Sequence, residues 1–214
     1  MNEATADAVA AALLEADCLN VRIDPPFRLV SGLVAPFYID CRHVLGHPGC
    51  RSVIVDHMVE RARRLPEVDV VAGGVTAGVP FATLLADRLG KPLAYVRGEA
   101  KAHGLGAQIE GAAVSGRSVL LVEDLMTTGD SSLKFAGILR DQGARIDRCL
   151  VVLDRSKDGN ADRFAAAKLV MHSLCTMESL LARALAERRI DAAMLGEVRA
   201  FIEDPRAWSG RHAA

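Results

Sequence analysis

The sequence is poor in aromatic residues, which fill 4% of its 214 positions, and carries almost no net charge, −1 at neutral pH. A nucleic-acid surface needs excess lysine and arginine with aromatic platforms for stacking bases, so no nucleic-acid partner is expected. Bound phosphate stays compatible, since it needs only local positive charge. No run of about 18 apolar residues occurs, so no membrane-spanning helix and no membrane partner are expected. There is no CxxC pair. Cys18, Cys41, Cys50, Cys149 and Cys175 are odd in number and widely spaced, which reads as reduced thiols in core positions of a cytoplasmic protein. The opening MNEATADAVAAALLEADC has no basic leader and carries Glu3, Asp7, Glu15 and Asp17. It reads as an amphipathic helix and not as a signal peptide.

What the sequence does have is an alternation of short aliphatic runs and helical periods, with no internal repeat and no low-complexity linker. Half of its residues are hydrophobic and a quarter charged, enough for one globular domain. Helical patterns cover roughly 5–16 and 49–65. A strand at 68–72 runs into Gly73-Gly74 and a helix with Pro80 in its first turn. Strands follow at 93–96, 119–122, 149–153 and 168–171, separated by helices near 131–142 and 158–167, with helical segments after them. Strands separated by helices predict an α/β fold with a mostly parallel central sheet flanked by helices. The segment PFRLVSGLVAPFYID breaks the alternation and reads as a hairpin-like hood beside the sheet. The tail from Pro205 through Trp208 to Gly210 reads as fraying at its end.

In a parallel sheet, ligands sit at the carboxyl ends of strands, so three loops matter. The stretch VLLVEDLMTTGDSS ends an aliphatic strand in Glu123 and Asp124, which suit a vicinal diol or Mg²⁺ held through its waters. Thr127, Thr128, Gly129 and Ser131 then open a helix, where hydroxyls and N–H groups suit a phosphate. The bland alternative is a solvated loop with ordinary turn chemistry. GGVTAGVP, with Gly73, Gly74, Thr76 and Gly78, is not a Walker A loop, because Val79 and Pro80 stand where lysine and Ser/Thr belong. It is either a turn that lets a diphosphate approach backbone N–H groups or simply tight strand-to-helix packing. YVRGEAKAHGLGAQIEG places Arg97, Lys101 and His103 on a glycine-punctuated segment, a lid over an anionic leaving group or a plain surface loop.

VLLVEDLMTTGDSS resembles the signature of type I phosphoribosyltransferases, which bind phosphoribosyl pyrophosphate (PRPP). FRLVSGLVAPFYIDCR and YVRGEAKAHGLGAQIEG narrow the resemblance to orotate phosphoribosyltransferases. The resemblance implies a type I phosphoribosyltransferase fold over 1–214, with an N-terminal helix and hood at about 1–45, a PRPP-binding core at about 50–172 and a C-terminal helical part. It implies that Glu123 and Asp124 bind the ribose hydroxyls and that Thr127 to Ser131 cradle the 5′-phosphate. Gly73 to Gly78 then form the pyrophosphate loop, and Arg97, Lys101 and His103 the lid that closes over the pyrophosphate. Arg155 pairs with the orotate carboxylate, with Thr127 nearby. Phe37 and Tyr38 lie in the hood over the pyrimidine or are plain core aromatics. Mg²⁺ as cofactor, carried by PRPP and waters near the acid pair with no direct protein ligands, and a homodimer sharing its active sites are implied as well. Lys101, His103 and Asp124 are the residues expected to matter most to catalysis.

The sequence departs from that pattern in four places. Gly98, Ala77 and Val30 occupy positions where many relatives carry lysine. Asp130 sits inside the expected phosphate cradle, where its carboxylate either points out and caps the helix or points in and repels the ligand. These departures keep two rivals in view: a sister transferase using another base, and a regulator that binds PRPP without turnover.

Overall fold

The computed structural model describes residues 2–99, 108–156 and 160–213. The chain begins with α1 (Glu3–Glu15), capped by the Asn2 side chain. The hood follows: β1 (Leu19–Val21), β2 (Phe27–Arg28), β3 (Val34–Ala35) and β4 (Phe37–Ile39), then a 3-10 helix, Cys41–Gly46. The core contains α2 (Pro48–Arg63), β5 (Val70–Gly74), α3 (Gly78–Leu89), β6 (Leu93–Val96), β7 (Ile109–Gly111), β8 (Ser118–Met126), α4 (Asp130–Asp141), β9 (Arg145–Asp154), α5 (Ala161–Ala166) and β10 (Val170–Thr176). Three helices close the chain: α6 (Met177–Ala186), α7 (Ala192–Glu203) and α8 (Pro205–His212).

Six strands form one sheet in the order β10-β9-β8-β5-β6-β7. All neighbours pair in parallel except β6 with β7, which are antiparallel at one edge. The expected mostly parallel sheet is therefore present, with an edge strand inside the glycine-punctuated segment that the sequence pattern did not reveal. Along β5, β8 and β9 the side chains alternate between two cores. Val71, Leu120, Val122, Leu150 and Val152 face the core built with α1, α2, α3 and the hood. Val70, Ala72, Val119, Leu121, Cys149 and Val151 face the core under α4 and α5. Burial on both faces explains why these strands read as continuous apolar runs.

The order of the sheet reverses at β5: the next strand, β6, lies on one side of it and β8, β9 and β10 on the other. Such a switch point opens a crevice at the carboxyl ends of the strands. Here it is deepened by unequal lengths. The pairing of β5 with β8 stops at Gly73 opposite Val122, while β8 runs on beside β9 to Met126 opposite Asp154. The strand expected to end at Val122 is thus four residues longer, and Glu123 and Asp124 lie within it. The reason is one-sided pairing: β9 continues the ladder after β5 has turned away.

The hood is two small antiparallel pairs, β2 with β3 and β1 with β4. Within β4, Phe37 and Ile39 are buried and Tyr38 is exposed, the alternation of a half-covered strand. The C-terminal tail holds this hood down and does not fray before His212. Trp208 is fully buried, packs edge-on against Phe201 at 5.8 Å and donates its indole N–H to Glu197. Ser209 Oγ accepts the Val34 backbone N–H at 2.9 Å. All five cysteines are buried and unpaired. No helix among the described residues is long and apolar enough to cross a membrane.

Candidate functional site

At the switch point a cavity of about 290 Å³ is lined by Asp40, Arg42, Thr76, Glu123, Asp124 and Ser131, among others. Because side chains alternate along a strand, the two consecutive acids point to opposite faces of the sheet. Glu123 goes toward α4 and packs on Gly74, where an added Cβ would lie 1.9 Å from Glu123 Oε1 and 2.5 Å from the Phe135 ring. Only glycine leaves that room. Asp124 goes toward the hood, where Arg42 lies close enough to favour its charged form and Asp40 to oppose it.

Burial, more than the neighbouring Asp124 charge, pushes the Glu123 carboxyl up to about 8. Glu123 is 7% exposed and its Oε1 has no hydrogen-bond partner. A buried carboxylate oxygen left unpaired is costly, and one beside a cavity is poised for a ligand hydroxyl. Asp124 is raised as well, by burial first, against backbone N–H groups that lower it. Asp40 and Arg42 form a two-pronged pair: Arg42 Nε donates to Asp40 Oδ1 at 2.7 Å and Nη2 to Oδ2 at 2.6 Å. This pair was not singled out from the sequence; a short-range acid-x-Arg spacing inside the hood motif was its only signal.

Two helices open on the cavity, α3 through Thr76 and Ala77, and α4 through Ser131. Neither has a side-chain cap, whereas α1, α6, α7 and α8 are capped by Asn2, Thr176, Asp191 and Asp204; α2 and α5 also lack one. Uncapped first-turn N–H groups and the positive helix end suit an anion. Gly73 and Gly78 act in packing: added Cβ atoms would lie 2.7 Å from Val79 Cα and 2.4 Å from the Val122 carbonyl oxygen. The tight strand-to-helix reading of this loop therefore holds for these two glycines, and Thr76 with its neighbours presents the turn to the cavity.

The cradle loop after β8 is exposed at Thr127 and Thr128 and turns through Gly129 at φ +78°. An added Cβ there would meet the Phe164 ring at 2.5 Å, so the left-handed conformation and the close approach both demand glycine. Asp130 points outward. It accepts the Thr128 hydroxyl at 2.7 Å and pairs with Arg163 of α5, which holds its carboxyl below the usual range. It does not cap α4.

Arg155, Phe37, Tyr38 and Arg97 are not in the lining of this cavity. Arg155 follows β9, donates its backbone N–H to the Met126 carbonyl at 2.8 Å, and stands with its guanidinium 5.4 Å from the Phe37 ring centroid. Burial lowers its pKa, and no hydrogen bond from its side chain to a described residue is present. Phe37 itself is 2% exposed and packs edge-on on Phe201, so it is a core aromatic that Arg155 covers. Tyr38 faces outward beside Phe27, ring centroids 6.1 Å apart. Arg97 follows β6 and is engaged by Glu110 of β7 at 2.9 Å. Lys101 and His103 lie outside the described residues. Lys134, one turn into α4, was not anticipated: its Nζ sits 3.4 Å from where a Cβ on Gly98 would be.

Among the described residues no group of three or more His, Cys, Asp or Glu forms a metal cage. A Mg²⁺ that arrives with phosphate and water ligands, the usual way this ion is bound, needs no such cage. A wider cleft between α1 and α6, about 820 Å³, is lined by Asp7, Arg183 and small residues and has neither an acid pair on a strand end nor a glycine loop.

The comparisons agree with this geometry. Residues 51–175 match the phosphoribosyl transferase domain family. The chain is 41% identical to the orotate phosphoribosyltransferase of Rhizobium etli over 97% of its own length and 91% of that protein's. It superposes on the orotate phosphoribosyltransferase of Aeropyrum pernix with a TM-score of 0.72 and 35% identity, covering 82% of this chain and 97% of that one. The Mycobacterium tuberculosis orotate phosphoribosyltransferase in complex with PRPP matches with a TM-score of 0.66 and 28% identity, over 81% and 98% of the two chains. With the acid pair, the glycine turn and the cradle loop gathered at one switch point, the chain belongs to the orotate phosphoribosyltransferase family of type I phosphoribosyltransferases.

Proposed function

We propose that this protein transfers the phosphoribosyl group of PRPP to orotate, releasing pyrophosphate and forming orotidine 5′-monophosphate for pyrimidine synthesis. The observation that carries the proposal is the convergence of Glu123, Asp124 and two uncapped helix N-termini on one cavity. In this reading Glu123 and Asp124 hold the ribose hydroxyls, and Asp124, on the hood side, adds negative charge near the ribose. The first turn of α4 with Thr127 and Ser131 receives the 5′-phosphate, and the turn at Thr76 the pyrophosphate. Arg155 receives the orotate carboxylate, which would satisfy a part-buried guanidinium and fix the ring by a planar fork. The R. etli relative bears the name of the orotate enzyme, which favours orotate over another base.

The chemistry is a substitution at the anomeric carbon. A ring nitrogen of orotate gives an electron pair to that carbon as its bond to pyrophosphate oxygen breaks, and the departing pair leaves with the pyrophosphate. Positive charge builds on the ribose in between, so nearby carboxylate and exclusion of water both lower the barrier. Mg²⁺, bound through PRPP beside Glu123 and Asp124, supplies neutralisation of the leaving group when present. Arg97, Lys134 and, by the family resemblance, Lys101 and His103 supply the protein's share. Lys134 lies where the missing lysine at Gly98 would begin, which offsets that departure. A homodimer completing the lid, and a cytoplasmic location in keeping with five free thiols, belong to the same proposal.

Calorimetric titration with PRPP, in Mg²⁺ and in EDTA, tests the binding half. Saturable binding that weakens in EDTA is expected; no binding in either buffer overturns the assignment. Sedimentation at assay concentration checks the dimer, and a monomer with full activity contradicts the shared lid.

A further inference from the structure

The cradle loop is held from outside by a part of the chain to which neither the sequence motifs nor the family resemblance gives a task. Asn160 Nδ2 donates to the Thr127 carbonyl at 2.9 Å. Arg163, three residues on, donates to the Thr128 carbonyl and pairs with the Asp130 carboxylate. Phe164 closes the third side, its ring lying 2.5 Å from where a Cβ on Gly129 would sit, and Phe164 is itself 3% exposed. Three side chains of one short segment thus engage three consecutive carbonyls or faces of the loop expected to meet the phosphate.

We propose that Asn160, Arg163 and Phe164 are positioning residues for the 5′-phosphate cradle, and that Arg163 neutralises Asp130 so that an anion is accepted beside it. The inference rests on the phosphoribosyl reading of the site. Its physical content is twofold. Backbone N–H donors act on an anion only if the loop is already in the binding conformation, and carbonyls fixed by Asn160 and Arg163 keep it there. An acid inside the cradle would repel the phosphate across a few ångströms unless a guanidinium draws its charge outward. Arg163 does both with one planar fork, which lysine cannot match. The Thr128 hydroxyl is drawn outward too, spent on Asp130, so phosphate recognition at this position falls to backbone N–H groups and to Thr127 and Ser131.

The test is a small set of variants read by calorimetry with ribose 5-phosphate, which needs no turnover, and by steady-state kinetics in orotate and PRPP. Arg163→Met is expected to weaken ribose 5-phosphate and raise KM for PRPP about tenfold to a hundredfold, the worth of a charge-assisted contact. KM for orotate stays unchanged. The double variant Asp130→Asn/Arg163→Met removes the repelling charge and is expected to recover most of that loss. Asp130→Asn alone, which keeps an acceptor for the Thr128 hydroxyl, tightens ribose 5-phosphate by about threefold and carries the test should Arg163→Met prove unstable. Equal affinity in wild type and Arg163→Met, a double variant no better than the single one, or an Asp130→Asn variant that binds no more tightly would each overturn the inference. A wild-type protein that binds no ribose 5-phosphate would instead overturn the phosphoribosyl reading on which it rests.

Discussion

Glu123 offers a prediction about stability whose size comes from the structure. Its carboxyl is 7% exposed, packs on Gly74 and Phe135, leaves Oε1 unpaired, and titrates near 8 instead of the ordinary 4.5. In the unfolded chain it ionises near 4.5, so between 4.5 and about 8 the unfolded state releases a proton that the folded state keeps. The native state is therefore favoured below the lower value, and that advantage is lost as pH rises toward the upper one. At about 1.4 kcal/mol for each pH unit, the gap from 4.5 to about 8 comes to about 5 kcal/mol. Less than about 1 kcal/mol of it is gone at about pH 5 and about 4 kcal/mol by about pH 8. Glu123→Gln keeps the volume and an unsatisfied polar atom but removes the titration. The variant and the wild type should thus melt at similar temperatures near pH 5. By about pH 8 the variant should be favoured by a further 3 to 4 kcal/mol or so, roughly 6–15 °C for a chain of this size. Differential scanning calorimetry of both proteins across that range, without ligand, reads the difference directly. Melting curves that run parallel with pH would refute the reasoning, because they would mean that Glu123 is already ionised and solvated in the free protein.

Three further outcomes follow from the same geometry. Asp124→Asn should lower turnover about tenfold to a hundredfold, the worth of a charge-assisted hydrogen bond, while the fold stays intact by circular dichroism; an unchanged rate would remove Asp124 from the site. Gly74→Ala places a methyl group 1.9 Å from Glu123 Oε1 and against Phe135. It should cost about 1–3 kcal/mol by denaturant unfolding and weaken PRPP binding by shifting the acid pair, whereas a stable variant with normal affinity would show that Glu123 has room to move. Arg155→Lys should raise KM for orotate about tenfold or more and leave PRPP affinity alone, and an unchanged KM would place the orotate carboxylate elsewhere.

Much of the fold was legible because the central parallel strands β5, β8 and β9 are buried on both faces, and continuous apolar runs between helical periods leave few other arrangements. The run Leu93–Val96 matches β6 residue for residue. Boundaries failed where pairing and not side-chain pattern decides them: β8 continues through Glu123 and Asp124 because β9 supplies a partner, and nothing in the residues themselves announces that. The edge strand β7 was hidden by its brevity, three residues against β6. The tail was misread for a similar reason. Pro205 and Gly210 look like breakers, yet Pro205 is the first residue of α8, and Trp208 finds a pocket against Phe201 that only the tertiary fold provides.

Of the candidate site, the acid pair and the glycine turn were readable as local motifs, since strand, turn and helix are contiguous there. The orientation of Asp130 was not, because its partner Arg163 lies on another element. Lys134 near Gly98 escaped for the same reason: a cation can be supplied from a neighbouring helix as well as from the expected position. Phe37 shows the converse. It lies in the hood motif, but the alternation of β4 turns it inward to the core and leaves Tyr38 as the outward aromatic.

Orotate consumption by the purified protein, followed spectroscopically with PRPP and Mg²⁺ against a control without PRPP, tests the central claim most directly. The account requires loss of orotate that depends on PRPP, with orotidine 5′-monophosphate and pyrophosphate formed in equal amounts. No loss of orotate, in protein that binds PRPP saturably, would contradict it and mark the chain as a PRPP-binding protein that acts on another base or on none.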